Sequence, residues 1–105
     1  MKRKIKRIIN EFKLSIQGLN HVKIKKMLLF GSFSRNEATN DSDIDLLLVA
    51  EKNITNENIQ KIRELANKLS LDYNIVISEF IFNEQDFENY NTPFLLRIKK
   101  EGIPV

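Results

Sequence analysis

The chain has 105 residues, with 42% hydrophobic and 30% charged side chains, which suits one folded domain over residues 1–105 rather than a disordered polymer. It has no cysteine and one histidine, His21, so thiolate metal sites, thiol nucleophiles, disulfides and multi-histidine centres are excluded. The net charge of +3 is local: residues 1–7 (MKRKIKR) hold five of the 17 basic residues, and the rest of the chain has 12 basic against 14 acidic. A basic end of this kind reads as a solvated helix face, so nucleic acid is not expected as a partner.

Residues 3–19 predict an amphipathic helix, because Ile5, Ile8, Ile9, Phe12, Ile16 and Leu19 recur every three or four positions. Gly18 and Asn20 can end it. The apolar run 26–30 (KMLLF), closed by Gly31, predicts a buried strand. One helical turn is expected over 33–37, and Thr39–Ser42 (TNDS) has turn chemistry. Residues 43–50 (DIDLLLVA) predict a second strand covered on both faces. Thr55 can cap a helix over 56–70, with a stripe of Ile59, Ile62, Leu65, Ala66 and Leu69.

Residues 73–82 (YNIVISEFIF) predict a third strand from their β-branched and aromatic content. Asn83 can cap a short helix through Tyr90. Thr92 can cap a last one, with Pro93 in its first turn and Gly102 at its end. Phe80, Phe82, Phe87 and Tyr90 read as core, with an exposed part able to meet a partner protein. The alternation of strands and helices gives an α/β (α+β) architecture with a mixed sheet of three to four strands flanked by helices. No apolar run approaches a membrane span and no signal-peptide pattern follows the basic start. The expected setting is therefore the cytoplasm, with no membrane partner.

Residues 28–49 (LLFGSFSRNEATNDSDIDLLLV) carry the chemistry. Asp43 and Asp45 alternate with Ile44, so on a strand both carboxylates share a face. Two adjacent carboxylates repel each other unless a cation holds them, and hard oxygen ligands suit Mg²⁺. A plain polar strand entrance is the competing reading. Gly31 after a strand lets backbone approach a phosphate, and Ser32 can donate to it; a simple strand-ending turn is the alternative. The glycine–lysine ending of a Walker A loop is absent. Arg35 lies three residues past Ser32 and can reach the same phosphates, or pair with Glu37 or a loop aspartate. His21 reads as a loop or packing residue.

Gly31-Ser32, ten residues, then Asp43-Ile44-Asp45 resembles the signature of the DNA polymerase beta-like nucleotidyltransferase superfamily. The string GSFSRNEATNDSDIDLLL and the ending PFLLRIKKEG resemble its small members, the minimal nucleotidyltransferases. Gly31, Ser32, Arg35, Ala38, Ser42, Asp43 and Asp45 stand where that family has its typical residues. The resemblance implies a nucleotidyltransferase palm that transfers AMP from ATP to a hydroxyl. Asp43 and Asp45 would bind Mg²⁺, and Gly31, Ser32, Arg35 and Ser42 would hold the nucleotide. It also implies a HEPN-domain toxin as partner, with this chain as the antitoxin that adds AMP to it. A homo-oligomer stays open.

Two positions depart from the family pattern. Ser34 and Asn36 replace the usual alanine and glycine, and Asn36 is expected to keep the turn. Asn74 stands where an acid is expected on the next strand, and Asp72 would share its face and could act as the third catalytic carboxylate. Without such an acid the chain would be a catalytically weak nucleotide-binding antitoxin that neutralises its partner by contact.

Overall fold

The structure, a computed structural model, describes residues 2–35, 37–39 and 42–105. Helix α1 (Arg3–Gln17) is followed by strand β1 (Ile24–Phe30), a 3₁₀ turn over Gly31–Phe33 and strand β2 (Ile44–Ala50). Helix α2 (Asn56–Tyr73) leads to strand β3 (Ile77–Asn83), helix α3 (Glu84–Asn89), helix α4 (Pro93–Glu101) and strand β4 (Ile103–Pro104). The four strands form one mixed sheet in the order β3-β2-β1-β4. β1 runs antiparallel to β2 and to β4, whereas β2 and β3 are parallel and joined by the α2 crossover. The expected architecture of a mixed sheet flanked by helices is thus what forms.

The alternation of side chains along β2 divides the core in two. Ile44, Leu46 and Leu48 join Met27, Leu29 and Ile77 beneath α1 and α2, where Ile8, Phe12 and Ile62 are fully enclosed. Leu47 and Val49 face the other way, with Leu28, and are covered by Phe87 of α3 and Leu95 and Ile98 of α4. The second cover is shorter: α3 has 6 residues and α4 has 9, against 15 and 18 for α1 and α2. It leaves the Asp45 end of its face partly open, which is where the candidate site lies.

Three helix starts follow the capping chemistry read from the sequence. Thr55, Asn83 and Thr92 each accept a hydrogen bond from the backbone N–H three residues on. Gly102 ends α4, and a Cβ there would collide with the Ile98 carbonyl. Basic Lys99 and Lys100 lie in the last turn of that helix.

Several boundaries differ from expectation. α1 stops at Gln17, with Gly18 as its C-cap, and Leu19 packs on the core from beyond the helix. β1 begins two residues earlier than the apolar run, because Ile24 pairs with Ala50. The helical turn expected at 33–37 is a 3₁₀ turn at Gly31–Phe33. β2 begins at Ile44, so Asp43 lies one residue before the strand. His21 is an exposed loop residue in the left-handed region at φ 62°.

The largest correction concerns residues 71–76. Leu71, Asp72 and Tyr73 continue α2, and β3 starts only at Ile77. Asn74 ends the helix in the left-handed region (φ 51°), and Ile75 N–H donates back to the Ser70 carbonyl at 3.1 Å. Tyr73 Oη also donates to Glu11 Oε1 of α1 at 2.7 Å, which ties the two helices together. Asp72 and Asn74 therefore do not share a strand face. Asn36, and Asn40 and Asp41 of the expected Thr39–Ser42 turn, lie outside the described residues.

Candidate active site

β1 and β2 are neighbours, and Phe30 pairs with Asp45 in their register. This brings the residue after β1, Gly31, against the first turn of β2. Gly31 has φ +74°, a conformation that side chains rarely adopt. A Cβ on Gly31 would also collide with the Asp45 carboxylate, whose Cγ would be 3.2 Å away. Glycine is favoured twice at this position, for its backbone and for the space that Asp45 fills.

Asp45 is half-buried and Asp43 exposed. Burial pushes the Asp45 carboxyl above its ordinary value, the charge of Asp43 pushes it the same way, and Arg35 opposes both. The two carboxylates thus repel one another while a guanidinium stands within electrostatic reach. This is the environment in which a bound cation would relieve the strain between like charges. Two hard carboxylates fit Mg²⁺, which commonly takes one or two such ligands and fills its shell with water and phosphate oxygens.

The backbone of the Gly31 loop is organised by its own residues. The Ser32 carbonyl accepts from Arg35 N–H at 3.3 Å and from Glu37 N–H at 3.0 Å, and Ser34 Oγ donates to the Gly31 carbonyl at 2.8 Å. Ser42 Oγ accepts from Thr39 N–H at 2.8 Å, one residue before Asp43. Arg35 pairs with Glu37 at 3.1 Å, as one sequence reading anticipated, and also with Glu101 of α4 at 3.6 Å. Arg97 reaches the same Glu101 oxygen at 3.5 Å.

A cavity of about 210 Å³ opens beside Gly31, between Phe30, Arg35, Phe94, Arg97 and Glu101. Phe30, Phe80 and Phe94 pack ring against ring at centroid distances of 5.2–5.7 Å. Phe80 and Phe94 are each 39% exposed. Phe80, expected in the core, is therefore part of an open aromatic surface on the Asp45 face, while Phe87 is buried. Phe94, Arg97 and Glu101 lie in the ending PFLLRIKKEG, but nothing in the sequence tied them to the 28–49 segment, because α4 is distant from it along the chain.

The sheet register decides what β3 can add. Asp45 pairs with Ser78, and Phe80 lies two residues further on the same face. Glu79, the acid within β3, points to the α2 side, where Arg63 lies 3.8 Å away. Asp72 is exposed in the last turn of α2. Among the described residues, no group of three or more acids or histidines is placed to hold a metal ion. The third carboxylate is thus not supplied from the strand beside Asp45.

The family described as Polymerase beta, Nucleotidyltransferase matches residues 4–105. The chain belongs to this nucleotidyltransferase family. It is 33% identical over 98 residues to "Putative protein adenylyltransferase MJ0141" of Methanocaldococcus jannaschii, covering 93% of this chain and 95% of that protein. Two solved structures share the fold. One is described as a putative minimal nucleotidyltransferase, with a TM-score of 0.62, 24% identity and coverage of 100% of this chain and 97% of the other. The other is a tri-AMPylated Shewanella oneidensis HEPN toxin in complex with an MNT antitoxin, with a TM-score of 0.50, 19% identity and coverage of 96% and 65%. In this nucleotidyltransferase, the packing brings Gly31 and Asp45 together. No helix among the described residues is long and apolar enough to cross a membrane.

Proposed function

We propose that this nucleotidyltransferase transfers AMP from ATP to a hydroxyl of a partner protein, and that the partner is a HEPN-domain toxin that it restrains as an antitoxin. The observation that carries this reading is the seating of the Asp45 carboxylate against Gly31, with Asp43 close enough to raise its proton affinity. Family membership and the HEPN–MNT fold neighbour support it.

Asp43 and Asp45 would hold Mg²⁺, which when bound neutralises charge on the nucleotide phosphates. Backbone N–H groups after Gly31, with Ser32 Oγ, are the donors for the terminal phosphates. Arg35 is already beside this loop; release from Glu37 and Glu101 would let its guanidinium meet an incoming phosphate. In the reaction the acceptor oxygen bonds to the α-phosphorus, the bond to pyrophosphate breaks, and the hydroxyl proton is released. Ser42 serves the nucleotide through the loop it closes. Asp72 lies off the sheet, so a part in catalysis would require approach from the end of α2.

The position of Glu79 on the far face supports a second reading, in which the site binds nucleotide, transfers slowly and restrains its partner by contact. One experiment separates the two. The chain is incubated with ATP, Mg²⁺ and a HEPN-domain protein whose toxicity it suppresses, and the partner is weighed by mass spectrometry. Transfer adds one or more AMP masses, and Asp43→Asn with Asp45→Asn abolishes the addition. An unchanged partner mass, with inhibition preserved in the double variant, establishes restraint by contact and overturns the enzymatic reading.

A further inference from the structure

Arg97 has no role in the transfer proposed above, yet it lines the cavity of about 210 Å³ beside Gly31, together with Arg35 and Glu101. It stands on α4, whose last residue is Glu101. The three side chains converge on one atom. Arg35 Nη1 lies 3.6 Å from Glu101 Oε2, and Arg97 Nε lies 3.5 Å from the same oxygen. Phe30, Phe94 and Ile98 make the apolar part of the walls, and Glu101 is the one acid among the described lining residues.

An anionic oxygen set between two guanidiniums is where a phosphate oxygen sits in an arginine-lined anion site. Glu101 fills that position poorly. Both distances, 3.5 and 3.6 Å, exceed the roughly 2.7–2.9 Å of a charge-assisted hydrogen bond. The side chains are also open to water, with Arg97 69%, Arg35 34% and Glu101 32% exposed, and pairs so exposed are weakly held. A carboxylate in the last turn of a helix also faces the negative end of the helix dipole. The backbone there is fixed, because Gly102 N–H donates to the Ile98 carbonyl at 2.7 Å. Only the Glu101 side chain needs to turn away to free both arginines.

Charge decides which ligand would take its place. Arg35 and Arg97 are balanced by Glu37 and Glu101, so the cluster carries no net charge. An apolar ligand would leave two cations without partners. A single carboxylate would only repeat what Glu101 does. A polyphosphate brings several oxygens and more than one negative charge, enough to meet both guanidiniums at once. We propose that Arg97 binds the terminal phosphates of the nucleotide together with Arg35, and that Glu101 holds their place until they arrive. Arg97 then touches the ligand directly, whereas Glu101 is a positioning residue that keeps the two guanidiniums converged and yields to the phosphates. The inference rests on the nucleotide-binding reading and extends that site onto α4.

The test is calorimetric titration of the full chain with ATP and with AMP, each in Mg²⁺. Arg97→Ala should weaken ATP binding by about tenfold, the worth of one hydrogen bond to a charged group, and should leave binding of AMP, which lacks the terminal phosphates, unchanged. Arg97→Lys should recover part of the loss. Glu101→Gln should strengthen ATP binding by about threefold, because a competing exposed charge is gone. That gain should shrink when Glu101→Gln is combined with Arg97→Ala. A purely structural tie between α4 and the Gly31 loop predicts the opposite sign: Glu101→Gln would weaken ATP and AMP binding alike and lower the melting temperature. That outcome overturns the proposal, and so does unchanged ATP binding in Arg97→Ala, an exposed position whose variants serve if Glu101→Gln fails to fold. If ATP binding falls in Asp43→Asn with Asp45→Asn but not in Arg97→Ala, this inference alone fails. If the native chain binds no ATP, the nucleotide-binding reading fails with it.

Discussion

The two faces of β2 do different work with the same seven residues. Ile44, Leu46 and Leu48 are fully buried under two long helices, and the acid on this face, Glu79, is drawn to Arg63 at its margin. Asp45, Leu47 and Val49 alternate with them but meet two short helices that stop before covering the Asp45 end. The difference teaches how a small chain keeps a polar site in register. The enclosed face supplies the stability, and the open face gathers a half-buried carboxylate on β2, a strained glycine just after β1, and three aromatic rings from β1, β3 and α4.

This contrast can be broken from the closed side first. Phe12→Ala should cost about 3–5 kcal/mol, because Phe12 is fully enclosed and its removal leaves a cavity. Urea denaturation should show a lower midpoint with an unchanged slope. On the open side, Gly31→Ala should cost on the order of 1–3 kcal/mol, from its positive φ and from displacement of Asp45. Nucleotide binding, measured by calorimetry, should fall with it. Thr92→Ala removes the cap of α4 and should cost about 1 kcal/mol. Amide exchange should quicken in α4 more than in α1.

The smallest effect sharpens the comparison most. Burial pushes the Glu79 carboxyl above its ordinary value, against the pull of a backbone hydrogen bond and Arg63. A raised folded-state value means that the folded state binds more protons than the unfolded one in that window. The contribution of Glu79 is therefore present at low pH and is lost as pH rises through its folded value. Glu79→Gln should raise the melting temperature slightly near neutral pH, and the gain should vanish at pH values below the ordinary carboxylate range.

Much of this was legible in local chemistry. Thr55, Asn83 and Thr92 announce their helices because a side-chain oxygen capping an exposed N–H is a short-range interaction. The 28–49 segment announces the candidate site because Gly31 and Asp45 sit at facing ends of an antiparallel pair. The end of α2 was not legible in that way. Tyr73-Asn74-Ile75-Val76 has strand composition, but Asn74 takes the left-handed cap conformation and the Tyr73–Glu11 bond ties the last turn to α1 across 62 positions. The Arg35–Glu101–Arg97 cluster was hidden for the same reason, since its partners meet only after α4 folds onto the sheet.

The contact between Gly31 and Asp45 also constrains how this chain can vary. An aspartate at position 45 must turn its carboxylate aside to admit a side chain at position 31, whereas a smaller residue at 45 removes the collision and leaves only the cost of positive φ. The two positions are therefore epistatic: the penalty of Gly31→Ala should be smaller in an Asp45→Ala background than in the native chain. A lineage that gives up the carboxylate would be released at the glycine as well, so the two losses should travel together.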